Sequence, residues 1–180
     1  MRHTGGVGAF NPATDRARVD YQLLVRSPVR LVRSRALFDE ILVWLRGNGY
    51  HIVSLDASWL ATAHMFRDLG SALGGLCHDY WQCLSEALGE AIAEAQGRSA
   101  AGFVVALARF DVFATHNLDD AQELLNLMLE HAWPAAMLGR RVLCLAQLDE
   151  QLHLRKVGMS AHWWTDAELV SRRGMNGNSL

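Results

Sequence analysis

No apolar run in the chain approaches the roughly 20 residues that a membrane-spanning helix needs, and the stretch MRHTGGVGAFNPATDRARVD (1–20) lacks the apolar centre of a secretory signal. Both absences lead to the expectation of a cytoplasmic protein. Cysteine is scarce and odd in number, Cys77, Cys83 and Cys144. Without a secretion signal, a disulfide framework is not expected and reduced thiols are. The spacing of Cys77, His78, Cys83 and His131 matches neither a CxxC pair nor an HExxH helix, so no metal is expected. Free Cys of this kind reads as a small hydrophobe. No Gly-rich loop of the phosphate-cradling kind follows a strand: Gly74-Gly75 follows a helix, and GGVG (5–8) lies in the N-terminal stretch. No nucleotide or other cofactor is expected. Internal repeats and low-complexity tracts are absent as well.

What is there is a chain of 180 residues, 51% of them hydrophobic, enough for one sizeable core and one domain. The net charge of −2 conceals a strong unevenness. Residues 1–67 carry +4 and residues 139–180 carry +2, whereas residues 68–138 set two Arg, Arg98 and Arg109, against ten acids, or −8. Such a middle segment repels nucleic acid and attracts a basic partner, because phosphate binding needs clustered Lys and Arg.

Residues 1–20 carry no periodicity and read as a flexible arm that adds little to the fold. YQLLV (21–25) and VRLV (29–32), joined around Pro28, read as an edge hairpin of two short strands. From the N-cap Ser34, residues Leu37, Phe38, Ile41, Trp44 and Leu45 recur at helical spacing until Gly47-Asn48-Gly49. IVSL (52–55) is the next strand, and Ser58 caps a helix carrying Trp59, Phe66, Leu69 and Leu73 that Gly74-Gly75 ends. CHDYWQCLSEALGEA (77–91) is a third helix. GFVVAL (102–107) and VLCLA (142–146) are nearly continuous apolar runs, as expected of strands covered on both faces. A helix over about 119–132, capped near Asn117 or Asp119, lies between them. This alternation predicts an α/β fold, a small parallel sheet with packed helices and an N-terminal β-hairpin and helix extension. A single domain is expected over 21–170, with HWWTDAEL (162–169) packing back on it and 171–180 as a flexible tail.

At about 100° per residue, Trp81, Leu84, Leu88, Ala91 and Ala95 share one side of the third helix. Gln82, Glu86 and Glu90 lie on the other, with Glu94 at its edge. Solvated helix faces usually interleave Lys or Arg with Glu, yet no base lies between Arg67 and Arg98. Like charges at i,i+4 cost the helix a few tenths of a kcal/mol each, so the stripe suggests a use. The later helix repeats the theme, with Leu124, Met128 and Ala132 inward and Glu123, Asn126 and Glu130 grouped on another face. Asp119 and Asp120 read as caps favoured by the helix dipole.

In the order and spacing of these pieces the chain resembles the barstar family, intracellular inhibitors of barnase-like ribonucleases. The likeness covers about residues 50–148: HIVSLDASW, then YWQCLSEAL in place of the family's Asn-Trp/Leu-Asp-Ala-Leu-x-Asp-x-Leu helix, GFVVALARFDVFA, LDDAQELLNLMLEHA and RRVLCLAQLDE. The flanks YQLLVRSPVRLV and HWWTDAELVSRRG look like a longer bacterial branch. The resemblance implies a non-enzymatic protein whose acidic helix and adjoining loop plug the basic active site of a nuclease, carboxylates standing in for RNA phosphates. Glu86 falls where the family has its central helix Asp, Gln82 on the preceding Asp, Tyr80 on Asn, Trp81 on Leu or Trp, and Glu130 on a contacting Glu of the later helix. Asp79 lies one turn before Cys83 and can complete the polar contacts. The family's Pro-x-Tyr-Tyr-Gly approach loop is here GLCHDY, within 74–80, and the Asp at Gln82 is neutral.

The expected function is therefore immunity: binding and occlusion of a ribonuclease or related nuclease toxin through Asp79, Tyr80, Trp81, Gln82, Glu86 and Glu130. The alternative is an interaction module of the same fold with a non-nuclease partner. A third reading, from another class, is a small enzyme using Cys77, His78 or His131.

Overall fold

Strands covered on both faces anchor the structure, as the apolar runs require. A computed structural model describes residues 10–61, 64–77 and 80–149, together with the backbone of 162–164. Five strands, β1 (Val29–Val32), β2 (Tyr50–Asp56), β3 (Gly102–Ala108), β4 (Val142–Gln147) and β5 (His162–Trp164), form one sheet in the order β2-β3-β4-β1-β5. Every pairing is parallel, with Val105 opposite Val53 and Cys144, and Arg30 opposite Leu145 and His162. The helices are α1 (Pro12–Asp15), α2 (Val19–Leu24), α3 (Arg35–Gly47), α4 (Met65–Ala72), α5 (Trp81–Gly97), α6 (Phe110–His116) and α7 (Leu118–Met137), with a 3-10 turn at Ala57–Ala61. Among the described residues no helix is long and apolar enough to cross a membrane.

The two-residue alternation of the strands divides the core. Phe103, Val105, Leu107, Val142, Cys144, Val29 and Leu31 face α4, α5, α6 and α7, while Val104, Ala106, Leu143, Leu145 and Val32 face α2 and α3. The protein is thus an α/β fold in three layers, as expected. Cys144 lies buried within the sheet as a free thiol, and burial pushes its pKa up to about 12.

The N-terminal region departs from expectation. YQLL lies within α2 with Val25 as its C-cap, and VRLV is a strand that runs parallel between β4 and β5, so there is no hairpin. The cause is tertiary and outweighs the β propensity of Tyr21 and Val25. The Asp20 carboxylate, fully buried, accepts from Arg18 Nε (3.0 Å) and Nη2 (2.7 Å), Tyr50 Oη (2.6 Å) and Arg141 Nη1 (3.4 Å). Buried Arg30 donates to the α2 carbonyls of Leu23 and Gln22, both at 2.6 Å, which satisfies the end of that helix. Residues 10–20 therefore belong to the fold and are not an arm; residues 1–9 and the tail 171–180 lie outside the described residues.

At α3 and α7 the expected caps hold, but the helix expected from Ser58 to Leu73 is split into the 3-10 turn and α4, and the helix expected from Cys77 starts at Trp81. Ser34 Oγ accepts from Leu37 N to cap α3, and Asn117 Oδ1 accepts from Asp120 N to cap α7, which runs on to Met137 through Pro134. Ser58 is not a helix cap; Asp56 Oδ1 instead accepts from Ser58 N and Oγ to hold the 3-10 turn. At the carboxyl edge of the sheet Arg109, in the left-handed region at φ 52°, pairs with Asp56 and donates its N–H to Gln147 Oε1 at 3.0 Å. This one residue ties the ends of β2, β3 and β4.

Candidate functional site

Helices α5 and α7 follow β2 and β3 and pack on the same face of the sheet, so they run side by side in the same direction. Leu84, Ala87, Leu88, Ala91, Ile92 and Ala95 of α5 and Leu124, Leu125, Met128, Leu129 and Ala132 of α7 are buried, as the apolar spacing predicts. Where the helices meet, Ser85 Oγ and His131 Nε2 share a hydrogen bond of 2.8 Å. A side-chain carbon placed at Gly89 would lie 3.5 Å from His131 Cε1, in ordinary contact, so the imidazole packs along the small residues Ser85 and Gly89. Burial depresses the His131 pKa below its usual value against the opposing pull of Glu130. At neutral pH the imidazole is therefore mainly neutral.

This contact sets the positions of the two principal carboxylates. Glu86 comes one residue after Ser85 and Glu130 one residue before His131. On two right-handed helices running the same way, those opposite steps turn both side chains from the interface toward the same outer side, and both are exposed. Gln82 Nε2 donates to Glu86 Oε1 at 3.1 Å, one helical turn along, so the neutral amide orients the carboxylate where a second acid would repel it. Glu90 is exposed in the same row, and Glu94 pairs with Arg98. Neither α5 nor α7 contains a Lys or Arg between its ends, and the outer surface of this layer is acidic.

The entrance to α5 is apolar. Tyr80, extended at φ −153° and ψ 151°, is 58% exposed, and Leu76 before it is 84% exposed. Trp81 is half-buried and meets the ring of Phe66 on α4 edge to face at 5.1 Å, so much of its area is spent inside the protein. Asp79 and His78 lie outside the described residues. Of the expected set, Tyr80, Trp81, Gln82 and Glu86 share one end of α5, and Glu130 joins them across the Ser85–His131 contact.

The cysteines correct an expectation. Cys77 and Cys83 are joined in a disulfide, with Cα atoms 5.6 Å apart, and are not reduced thiols. The turn after α4 brings them together. Gly70 leaves room for Cys77 to press on α4, since a side-chain carbon at Gly70 would fall 2.7 Å from Cys77 Cβ and 2.9 Å from its nitrogen. Gly75 does the same for Ala87 of α5, at 3.0 Å. On a helix residues six apart face different ways, and the bond joins a turn to a helix, which is why pattern alone did not pair them. The Ser85–Gly89 row was the missed sign of the α5–α7 contact: two small residues four apart opposite a histidine. Among the described residues no group of three or more His, Cys, Asp or Glu gathers as a metal site.

No protein-family model matches the chain, and no curated protein matches it.

Proposed function

We propose that this chain is a barstar-like inhibitor that binds the basic active site of a ribonuclease or related nuclease toxin and blocks it by occupancy. The observation that carries the reading is the pair of exposed carboxylates, Glu86 and Glu130, held on adjacent helices that contain no Lys or Arg. A site that cleaves RNA gathers Arg and Lys to bind phosphates, and carboxylates fixed on rigid helices meet those cations without the cost of ordering a loop. Tyr80 and Leu76 supply exposed apolar area beside the charges, where an interface finds its anchors. The mechanism makes and breaks no covalent bond and uses no metal or cofactor. Cys77 has its sulfur engaged in a disulfide and His131 is turned into a helix interface, which weighs against a catalytic role for either. The cytoplasm is the compartment in which such an inhibitor protects the cell that makes the toxin.

One observation favours the alternative, a module of this kind with a non-nuclease partner: the loop entering α5 is closed by the Cys77–Cys83 bond and lacks the Pro-x-Tyr-Tyr-Gly pattern of the family it resembles. RNA hydrolysis by purified barnase, followed with and without the protein, tests the leading reading. Inhibition is expected, with an association rate that falls as salt rises. Glu86→Ala with Glu130→Ala should abolish inhibition at an unchanged melting temperature. Unchanged inhibition would refute the site. If barnase is untouched, a pull-down from the source cell that recovers no basic nuclease turns the reading to the alternative.

A further inference from the structure

The Cys77–Cys83 bond encloses four of the six residues assigned to the docking surface, Asp79, Tyr80, Trp81 and Gln82. Its two sulfurs differ in setting. Cys77 is 1% exposed and pressed against Gly70, whereas Cys83 is partly exposed in the first turn of α5. The partly exposed Cys83 sulfur is therefore the one that an external thiolate can reach. The core does not run through the bond: both faces of the sheet are packed by other residues, and a small ring removes less freedom from the unfolded chain than a long one. What the bond does constrain is the start of α5. Tyr80 offers α5 no side-chain cap, so its first turn has the disulfide where α3 and α7 have a capping side chain.

We propose that Cys77–Cys83 is a redox latch that sets the affinity of the docking surface. Two thiols forming the bond give up two electrons and two protons to a disulfide or peroxide oxidant. An external dithiol reverses it. Its thiolate attacks the accessible Cys83 sulfur, and Cys77 leaves and takes a proton. The second thiol of the reductant then closes its own disulfide and releases Cys83. Oxidised, Tyr80 and Trp81 are held in their binding arrangement; reduced, the first turn of α5 frays and the partner must order it again on binding. Affinity is therefore higher under oxidising conditions. That control rests on the docking reading above, but the latch itself does not.

The test uses the full chain, oxidised and then reduced with dithiothreitol, without denaturant. Non-reducing peptide mapping should find the Cys77–Cys83 linkage. On reduction, hydrogen exchange at the amides of Leu84 to Glu86, which bond back to the first turn of α5, should speed up by about tenfold or more while Ala91 to Ala95 stay unchanged. Cys83→Ser should show the reduced pattern with or without dithiothreitol. Free thiols at both positions in the oxidised protein, or the same exchange in both states, would overturn the latch. With barnase as the probe, inhibition should weaken about tenfold on reduction, and equal inhibition in both states would overturn the control. Absence of inhibition in either state strikes the inhibitor reading, and the exchange data still decide the latch.

Discussion

Asp20→Ala is expected to be the most damaging single change outside the apolar core, although Asp20 lies in a stretch with no secondary-structure signal. Its carboxylate is fully buried beside Arg18 and Arg141 and accepts a hydrogen bond from the Tyr50 hydroxyl at 2.6 Å. Removing it leaves a buried Tyr50 hydroxyl without an acceptor, which costs about 1–3 kcal/mol. It also takes the Asp20 carboxylate away from the Arg141 guanidinium, 19% exposed. Breaking a buried ion pair by deleting one partner costs about 3–5 kcal/mol; Arg18, 37% exposed, can turn to water, so the low end of that range applies. A loss of about 3 kcal/mol in a chain of this size lowers the melting temperature by roughly 6–12 °C. Urea and thermal unfolding followed by tryptophan fluorescence measure it. Asp20→Asn keeps an acceptor for Tyr50 and should lose about half as much. The dependence on pH follows from the shift. Burial raises the Asp20 pKa, but the hydrogen bonds from Arg18 and Tyr50 and the nearby positive charges outweigh it, and the folded value lies below the usual 3.8. The contribution is thus complete above about pH 4 and is lost as pH falls through the folded value. The gap between wild type and Asp20→Ala should stay constant from pH 7 to about pH 4.5 and close only below that. A loss under about 1 kcal/mol, or a gap that closes near neutrality, would refute the reasoning.

Two further outcomes follow from the same kind of argument. Because burial lowers the His131 pKa below 6.5, the unfolded chain binds the proton first, and stability falls as pH drops below about 6.5; His131→Gln should flatten the denaturant midpoint between pH 7 and pH 5, and an unchanged slope would show that His131 titrates freely. Gly70→Ala should destabilise by about 1–2 kcal/mol, because the new carbon meets the Cys77 backbone and overpacking outweighs the helical gain, whereas Gly47→Ala, with nothing within 4 Å, should stabilise by up to about 1 kcal/mol; equal melting temperatures for the two variants would count against the close approach.

The parts of the fold that pattern reveals are those where one physical effect dominates. GFVVAL and VLCLA had to be covered strands, and the periodic apolar residues of α3, α5 and α7 are buried on the predicted sides except Trp44 and Trp81, which are half-buried. YQLLV failed because its helix is decided by Arg30, seven residues on from Leu23, and by Tyr50, thirty residues from Asp20. Residues 10–20 failed for the same reason, their anchor being Arg141 as much as anything local. At the site, helical period gave the exposure of Gln82, Glu86 and Glu90. It could not give the neighbourhood of Glu86 and Glu130, since that depends on which helices the sheet order places together. The disulfide was illegible because the turn that closes it rests on two tight backbone approaches, at Gly70 and Gly75.

The position of β1 has a consequence in time. First of the strands in the chain, it lies fourth in the sheet, and its partners come 115 residues later, at Cys144 opposite Val29, and 132 residues later, at His162 opposite Arg30. During synthesis β2 and β3 can pair as soon as residue 108 is free of the ribosome, but β1 must wait for β4. Through that interval Val29, Leu31 and Val32, which end almost wholly out of water, stay exposed to whatever else is nearby. Pairing so distant in sequence is slow, and exposed strands invite other chains. The insertion of the first strand is therefore the step at which the nascent protein is most open to aggregation, and it closes the sheet only after most of the chain has been made.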